Sequence, residues 1–410
     1  MSTIKPFKAL RPQAQLAKQV ASKPYDVLTS AEAKVEAQGN PNSFLHITKS
    51  EIDLPETTDV HSAQVYEKAK ENLNAFIKRD ILFSENKECF YIYRLIMNGK
   101  SQIGLIALSS IDDYENNIIK KHELTRPDKE QDRINHIKTT GAQTGNVFLA
   151  YRDNNRLNEI VNKLTTTKNP VYDFVADDNI AHAIWIINDD KLVNEIIRIF
   201  ETEIEATYIA DGHHRAASAA KVRKDLKDKN AEADYFLTTL FPAAQLQILD
   251  YNRVVKNLNG LSESDFLQAL QNDFIIEEQT SAYKPEEPHT FGLYINSKWY
   301  KLTSKEGTYS NDPIGVLDVT ILQNNILSKY LNIHDQRTDK NIDFIGGIRG
   351  LTELEKRVNS GEFIMAFSLY PVTIEQLFAI ADSNNIMPPK STWFEPKLRD
   401  GLVTHLIYEN

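Results

Sequence analysis

The 410-residue sequence predicts an α/β (α+β) fold, and three observations lead to that class. Between residues 147 and 221, short apolar runs are repeatedly followed by segments with helical periodicity. Strand-like runs also meet across Asn98-Gly99 and Asn296-Ser297, two-residue turns that mark hairpins. The apolar content of 41% belongs to an ordinary globular chain, and the length exceeds what one hydrophobic core fills. We therefore expect an N-terminal α/β domain (1–115), a core domain (116–250) and a C-terminal α/β domain (251–410).

In chain order, residues 24–28 and 44–47 are short apolar pieces bounded by turn residues, expected as strands or tight loops. Residues 64–79 repeat apolar positions with helical spacing, whereas 89–97 and 102–109 alternate as the two arms of a hairpin. A nearly all-polar stretch, 120–133, follows, and Pro127-Asp128 opens a helix expected to run through His136. Next come a strand at 147–151, a helix at 157–164, a strand at 182–187 and a helix at 191–203. After residue 235 the pattern restarts with strands at 235–241 and 246–251, a helix at 263–272 and a hairpin over 290–302. Residues 313–331 give the longest helix candidate of this half, before a strand at 363–369, a helix at 374–382 and a closing strand at 402–408. Three prolines stiffen the intervening loop, 387–397. It does not resemble a phosphate loop, because the glycines are missing, and a structural lid or interdomain strut is the expected role.

Composition narrows the function classes. The single cysteine, Cys89, excludes an internal disulfide framework and multi-cysteine metal sites, and its apolar surroundings point to a buried thiol. No apolar run approaches membrane-spanning length and the first residues lack a signal-peptide core, so a cytoplasmic protein without membrane contact is expected. A formal charge of −10 argues against the extended basic surface that nucleic acid requires. The sequence leaves room for a homo-oligomer.

The stretch Tyr208-Ile209-Ala210-Asp211-Gly212-His213-His214-Arg215 reads as a strand, a one-glycine turn and a helix start. First-turn amides already carry partial positive charge, so two histidines and an arginine there suggest a bound anion such as phosphate. The plainer alternative is that Asp211 caps the helix and the basic side chains are solvated. A zinc site is discounted, because neighbouring helical residues diverge by about 100°, and no metal-ligating set is expected. Magnesium delivered with a nucleotide needs only one or two carboxylates. A second cluster comprises His122, Glu123, Thr125, Arg126, Lys129 and Arg133. Either it is a solvated charged face, or Glu123 deprotonates an attacking hydroxyl while the cations neutralise a transferring phosphoryl group. His182, at the head of an apolar strand, reads as a satisfied core histidine.

Ile119-Lys120-Lys121-His122-Glu123, Asn146-Val147-Phe148-Leu149-Ala150-Tyr151 and the 209–215 turn resemble the ParB/sulfiredoxin-like fold. Over nearly its whole length the chain also resembles the bacterial family called domain of unknown function 1015. Pro24-Tyr25-Asp26-Val27, Lys121-His122-Glu123-Leu124-Thr125, the 211–215 turn and residues 387–397 carry that resemblance. It implies kinship with free-serine kinases, and hence a phosphotransferase that uses ATP or ADP, with Mg2+, on a small hydroxyl substrate such as L-serine, in either direction. Glu123 would be the catalytic base, Asp211 would orient hydroxyl or magnesium, and Gly212, His213, His214 and Arg215 would cradle the phosphates. Sulfiredoxin chemistry is excluded, because His213 stands where its cysteine would fall. The rival expectations are a nucleotide-gated binding protein of ParB type and a metal-dependent phosphatase.

Overall fold

The computed structural model describes residues 1–226 and 231–408, a mixed α+β protein. Internal packing divides it into two units, Met1–Leu246 with Pro396–Asn410, and Gln247–Glu395. This differs from the three expected segments for a topological reason. Strands on both sides of residues 115–116 hydrogen-bond within one sheet, so a boundary there would cut through it.

That sheet, in the first unit, contains β1 (Ile4–Lys5), β2 (Phe90–Met97), β3 (Lys100–Ser110), β4 (Ile119–Lys120), β5 (Val147–Tyr151), β6 (Tyr172–Val175), β7 (Ala181–Ile187), β8 (Thr207–Asp211) and β9 (Tyr235–Pro242). The order is β4-β8-β5-β9-β3-β2-β7-β6, with β1 also on β3. The pairs β4/β8 and β5/β9 are parallel and the rest antiparallel. Positive φ at both Asn98 (51°) and Gly99 (76°) gives the β2–β3 hairpin the turn whose twist matches its strands.

Helices α1 (Ala63–Lys78), α2 (Pro127–Thr140), α3 (Asn155–Thr167), α4 (Asp190–Glu203) and α5 (His213–Leu226) accompany the sheet. Their ends follow from local chemistry. Asn154 and Asp189 cap α3 and α4 through their side-chain oxygens, and α2 opens on Pro127 and stops at Gly141, φ 70°. Leu157, Val161 and Leu164 of α3 and Ile196, Ile199 and Phe200 of α4 bury against Ile92, Leu105, Leu149 and Trp185 of the sheet. The small residues Ala216, Ala217, Ser218, Ala219 and Ala220 of α5 are buried, and the Ser218 hydroxyl sits 3.1 Å from the Glu130 carbonyl of α2. Residues 396–408 return to this unit as a thread. Asp400 exchanges backbone hydrogen bonds with Ser22, and Thr404 with Leu10.

In the second unit, β10 (Tyr251–Val255), β11 (Phe274–Gln279), β12 (Thr290–Ile295), β13 (Lys298–Ser304), β14 (Ile342–Gly346) and β15 (Met365–Leu369) form an antiparallel sheet ordered β11-β13-β12-β15-β10-β14. Four expectations change. Residues 24–28 and 44–47 are helical turns, Tyr25–Val27 and Leu45–Thr48, the first set by Pro24 at φ −58°. The strand expected at 246–251 breaks at Asp250, whose carbonyl accepts the Gly347 N–H and whose carboxylate accepts Asn252. The helix expected from 313 starts only at Asp318, because the Asp312 carboxylate captures the Ile314 and Gly315 amides in a turn. The closing strand shrinks to His405–Leu406, paired with Ala142–Gln143. Cys89 and His182 are buried as expected, His182 between Tyr93 Oη (2.8 Å) and Arg399 Nε (3.4 Å).

Leu149 is fully buried at the centre of β5, so Leu149→Ala should lower stability by about 2–5 kcal/mol in chemical denaturation. A loss below about 1 kcal/mol would mean that this strand is not in the core.

Candidate active site

Strand β8 pairs with β5 until a bulge between Ile209 and Asp211 sets Asp211 opposite Phe148. Gly212 follows at φ +99°, a conformation that L side chains rarely adopt. A Cβ there would stand 3.4 Å from Val147 Cα and 3.2 Å from Arg215 Nε. The glycine therefore lets the turn lie on β5, and Ala216 N–H closes the first helical hydrogen bond onto its carbonyl at 3.0 Å.

Arg215 turns inward beneath this turn. Its Nη1 donates to the Asn146 carbonyl, and Nη2 lies 3.2 Å from the Asp26 carboxylate and 3.6 Å from Asp211. Burial disfavours the charge, but Asp26 and Asp211 outweigh it and hold the guanidinium ionised. Burial likewise opposes ionisation of Asp211, and Lys397 (3.2 Å) with Arg215 reverses the sign, keeping that carboxyl far below the usual range.

Both histidines of the turn are neutral. His213 is buried, and burial with His122 beside it holds it well below the ordinary histidine value. Its Nε2 is 3.5 Å from the His122 N–H, and its Nδ1 faces Glu123 Oε2 at 3.7 Å. His122 packs edge-on against it at 4.5 Å, is pushed down to about 4 by burial, and has no partner for its buried Nδ1. His214 is lowered by burial and accepts the Arg126 N–H at 3.0 Å.

The structure thus brings Glu123, His122, Asp211, Gly212 and His213 together, with the Glu123 side chain 48% exposed and Asp211 30%. Arg126 and Lys129 lie in solvent, Arg126 held by Asp128 at 2.8 Å. Two expected phosphate ligands are elsewhere. Thr125 bonds to Glu130, which also takes Lys221 of α5, so it ties helices together. Arg133 is buried, bonded to Asp132 at 2.6 Å, with its guanidinium 3.9 Å from the Tyr25 ring centre.

Sequence reasoning missed three participants. Asp26 and Lys397 meet the turn from positions far along the chain, and Asp400 lies beside Arg215. Asp26 and Lys397 fall inside stretches that carry the family resemblance, which was the available signal; Asp400 had none. Among the described residues, no group of three or more His, Cys, Asp and Glu is placed to hold a metal ion. No helix of the described residues is long and apolar enough to cross a membrane.

Fold and site together define an α+β protein whose first unit gathers an exposed glutamate, an ion-paired aspartate and neutral histidines around a glycine turn. The chain belongs to the family described as protein of unknown function DUF1015, whose model matches residues 4–320. No curated protein matches it. Among solved structures it is similar to a free serine kinase in complex with AMP, at 12% identity and TM-score 0.38, covering 73% of this chain and 91% of that one. A conserved hypothetical protein from Pyrococcus furiosus matches at 14% and 0.37, over 74% and 97% of the two chains. SbnI with C-terminal truncation, from Staphylococcus aureus, matches at 10% and 0.39, over 73% and 86%.

Burial pushes the Asp400 carboxyl up to about 8, Asp26 adding to the rise and Arg215 opposing it. Folding therefore takes up a proton here. This contribution is complete below the unfolded value of 3.8 and is lost as the pH rises through about 8. The buried neutral histidines act oppositely: their contribution is complete above about pH 6.5 and is lost as the pH falls. Between about pH 7 and 8 the wild type should lose up to about 1.4 kcal/mol per pH unit through Asp400, and Asp400→Asn should flatten that slope. Equal slopes in denaturant titrations of the two proteins would show that Asp400 is ionised when folded.

Proposed function

We propose that this chain is a cytoplasmic, nucleotide-dependent phosphotransferase acting on the hydroxyl of a small molecule, with free L-serine the first candidate. The observation that carries the reading is the division between two neighbouring carboxylates. Asp211 is locked between Lys397 and Arg215, while Glu123 reaches solvent beside the neutral His213. The resemblance of residues 121–125 and 211–215 to the free-serine kinases points the same way.

In this reading Glu123 accepts the proton of the attacking hydroxyl, whose oxygen bonds to the terminal phosphorus of ATP or ADP as the bond to the leaving phosphate breaks. The nucleotide leaves one phosphate shorter, and the hydroxyl becomes a phosphomonoester. First-turn amides of a helix have no intrahelical partner, so those after Gly212 suit phosphate oxygens. Arg126 and Lys129, exposed near His214, would meet charge from the solvent side, whereas Arg215 braces the turn from within. Magnesium would arrive with the nucleotide. Asp211 is the carboxylate suited to it, and phosphate oxygens and water would complete its shell.

Incubation with ATP, ADP or pyrophosphate and a panel of amino acids, followed by phosphorus NMR, should reveal a new phosphomonoester. Glu123→Gln should cut turnover at least about 100-fold while nucleotide affinity changes less than about threefold. Absence of any phosphomonoester would sink the assignment, and equal losses of binding and turnover would remove Glu123 as the base.

A further inference from the structure

We propose that Lys397 is a phosphate-contacting residue of this site, so that the thread 396–408 completes it; this rests on the phosphotransferase reading above. The argument begins with the cations. Arg215 is committed to Asn146, Asp26 and Asp211, and Arg133 to Asp132 and Tyr25. His213 and His214 are neutral, and Arg126 is engaged by Asp128. Much of the positive charge that the sequence collects around the turn is therefore internal or absent. Lys397 comes from far along the chain and puts Nζ 3.2 Å from Asp211 Oδ2, with 18% of its side chain exposed beside a carboxylate that is 30% exposed.

Its backbone is held rigidly. Leu398, Arg399 and Asp400 are buried, Arg399 bonds to Asp178, and Asp400 exchanges hydrogen bonds with Ser22 at 2.9 and 3.1 Å. The ammonium is thus a positioned charge on a flexible stem, able to move from a carboxylate to a phosphate oxygen without rebuilding the site. Asp211 is met by two cations, Lys397 at 3.2 Å and Arg215 at 3.6 Å. An incoming polyphosphate would share Lys397 with Asp211, which keeps Arg215 at 3.6 Å.

The test uses the full chain and ADP as probe. In calorimetry, Lys397→Met should weaken ADP binding at least about tenfold, and Lys397→Arg should recover most of it. In wild-type protein, ADP should protect Lys397 at least about threefold from an amine-acylating reagent read by peptide mass spectrometry, while the surface residue Lys138 reacts unchanged. The labelling needs no variant, so it decides the matter even where Lys397→Met does not fold. ADP binding by the wild type with neither protection nor loss in Lys397→Met overturns this inference alone. Failure of the wild type to bind either ADP or ATP overturns the nucleotide reading itself.

Discussion

One buried guanidinium organises the site. Arg215 reaches from the first turn of α5 to the Asn146 carbonyl before β5, to Asp26 after the N-terminal Pro24 turn, and to Asp211 at the end of β8, with Asp400 of the C-terminal thread beside it. Four segments remote in sequence thus share a single charge. A buried ion pair adds little net stability, but removing one partner strands a charge and costs about 3–5 kcal/mol. The arrangement therefore acts mainly on specificity.

The same network explains how so basic a helix start is tolerated. Crowding of His213, His214 and Arg215 suggested an external anion, because that end of a helix disfavours positive charge. The protein meets most of this cost internally. Burial strips both imidazoles of their protons, and carboxylates from other segments neutralise the arginine. A phosphate at this turn would be met chiefly by backbone amides and by exchangeable surface cations. Gly212 matters for the same reason, since any side chain would press on the Arg215 guanidinium that supports the turn from beneath.

Legibility in the sequence followed the range of the forces involved. Helices α3 and α4 and the β2–β3 hairpin were readable because caps, apolar periodicity and the Asn98-Gly99 turn are local signals. The turn at Gly212 was readable for the same reason, and so was its proximity to Glu123 through shared chemistry. What escaped was pairing at a distance. Nothing near Arg133 in the chain says that its guanidinium packs on Tyr25, and nothing near Lys397 says that it meets Asp211. The broken elements have the same origin at shorter range. The Asp312 carboxylate takes two amides that the expected helix needed, and Asp250 interrupts a run whose apolar pattern continues past it.

The two carboxylates of the site cannot exchange roles. A general base must bind a proton with an affinity near the working pH, and its efficiency falls as its proton affinity drops. Asp211, between an ammonium and a guanidinium, holds its charge too firmly to take a proton from a hydroxyl. In the proposed reaction it takes an electrostatic task, orienting a hydroxyl or a nucleotide-borne metal. Glu123 reaches solvent, with Oε2 3.7 Å from His213 Nδ1. Burial keeps that imidazole neutral. Were His213 protonated, the turn would carry two positive charges at its least tolerant point. The burial that neutralises His213 therefore serves the stability of the helix start.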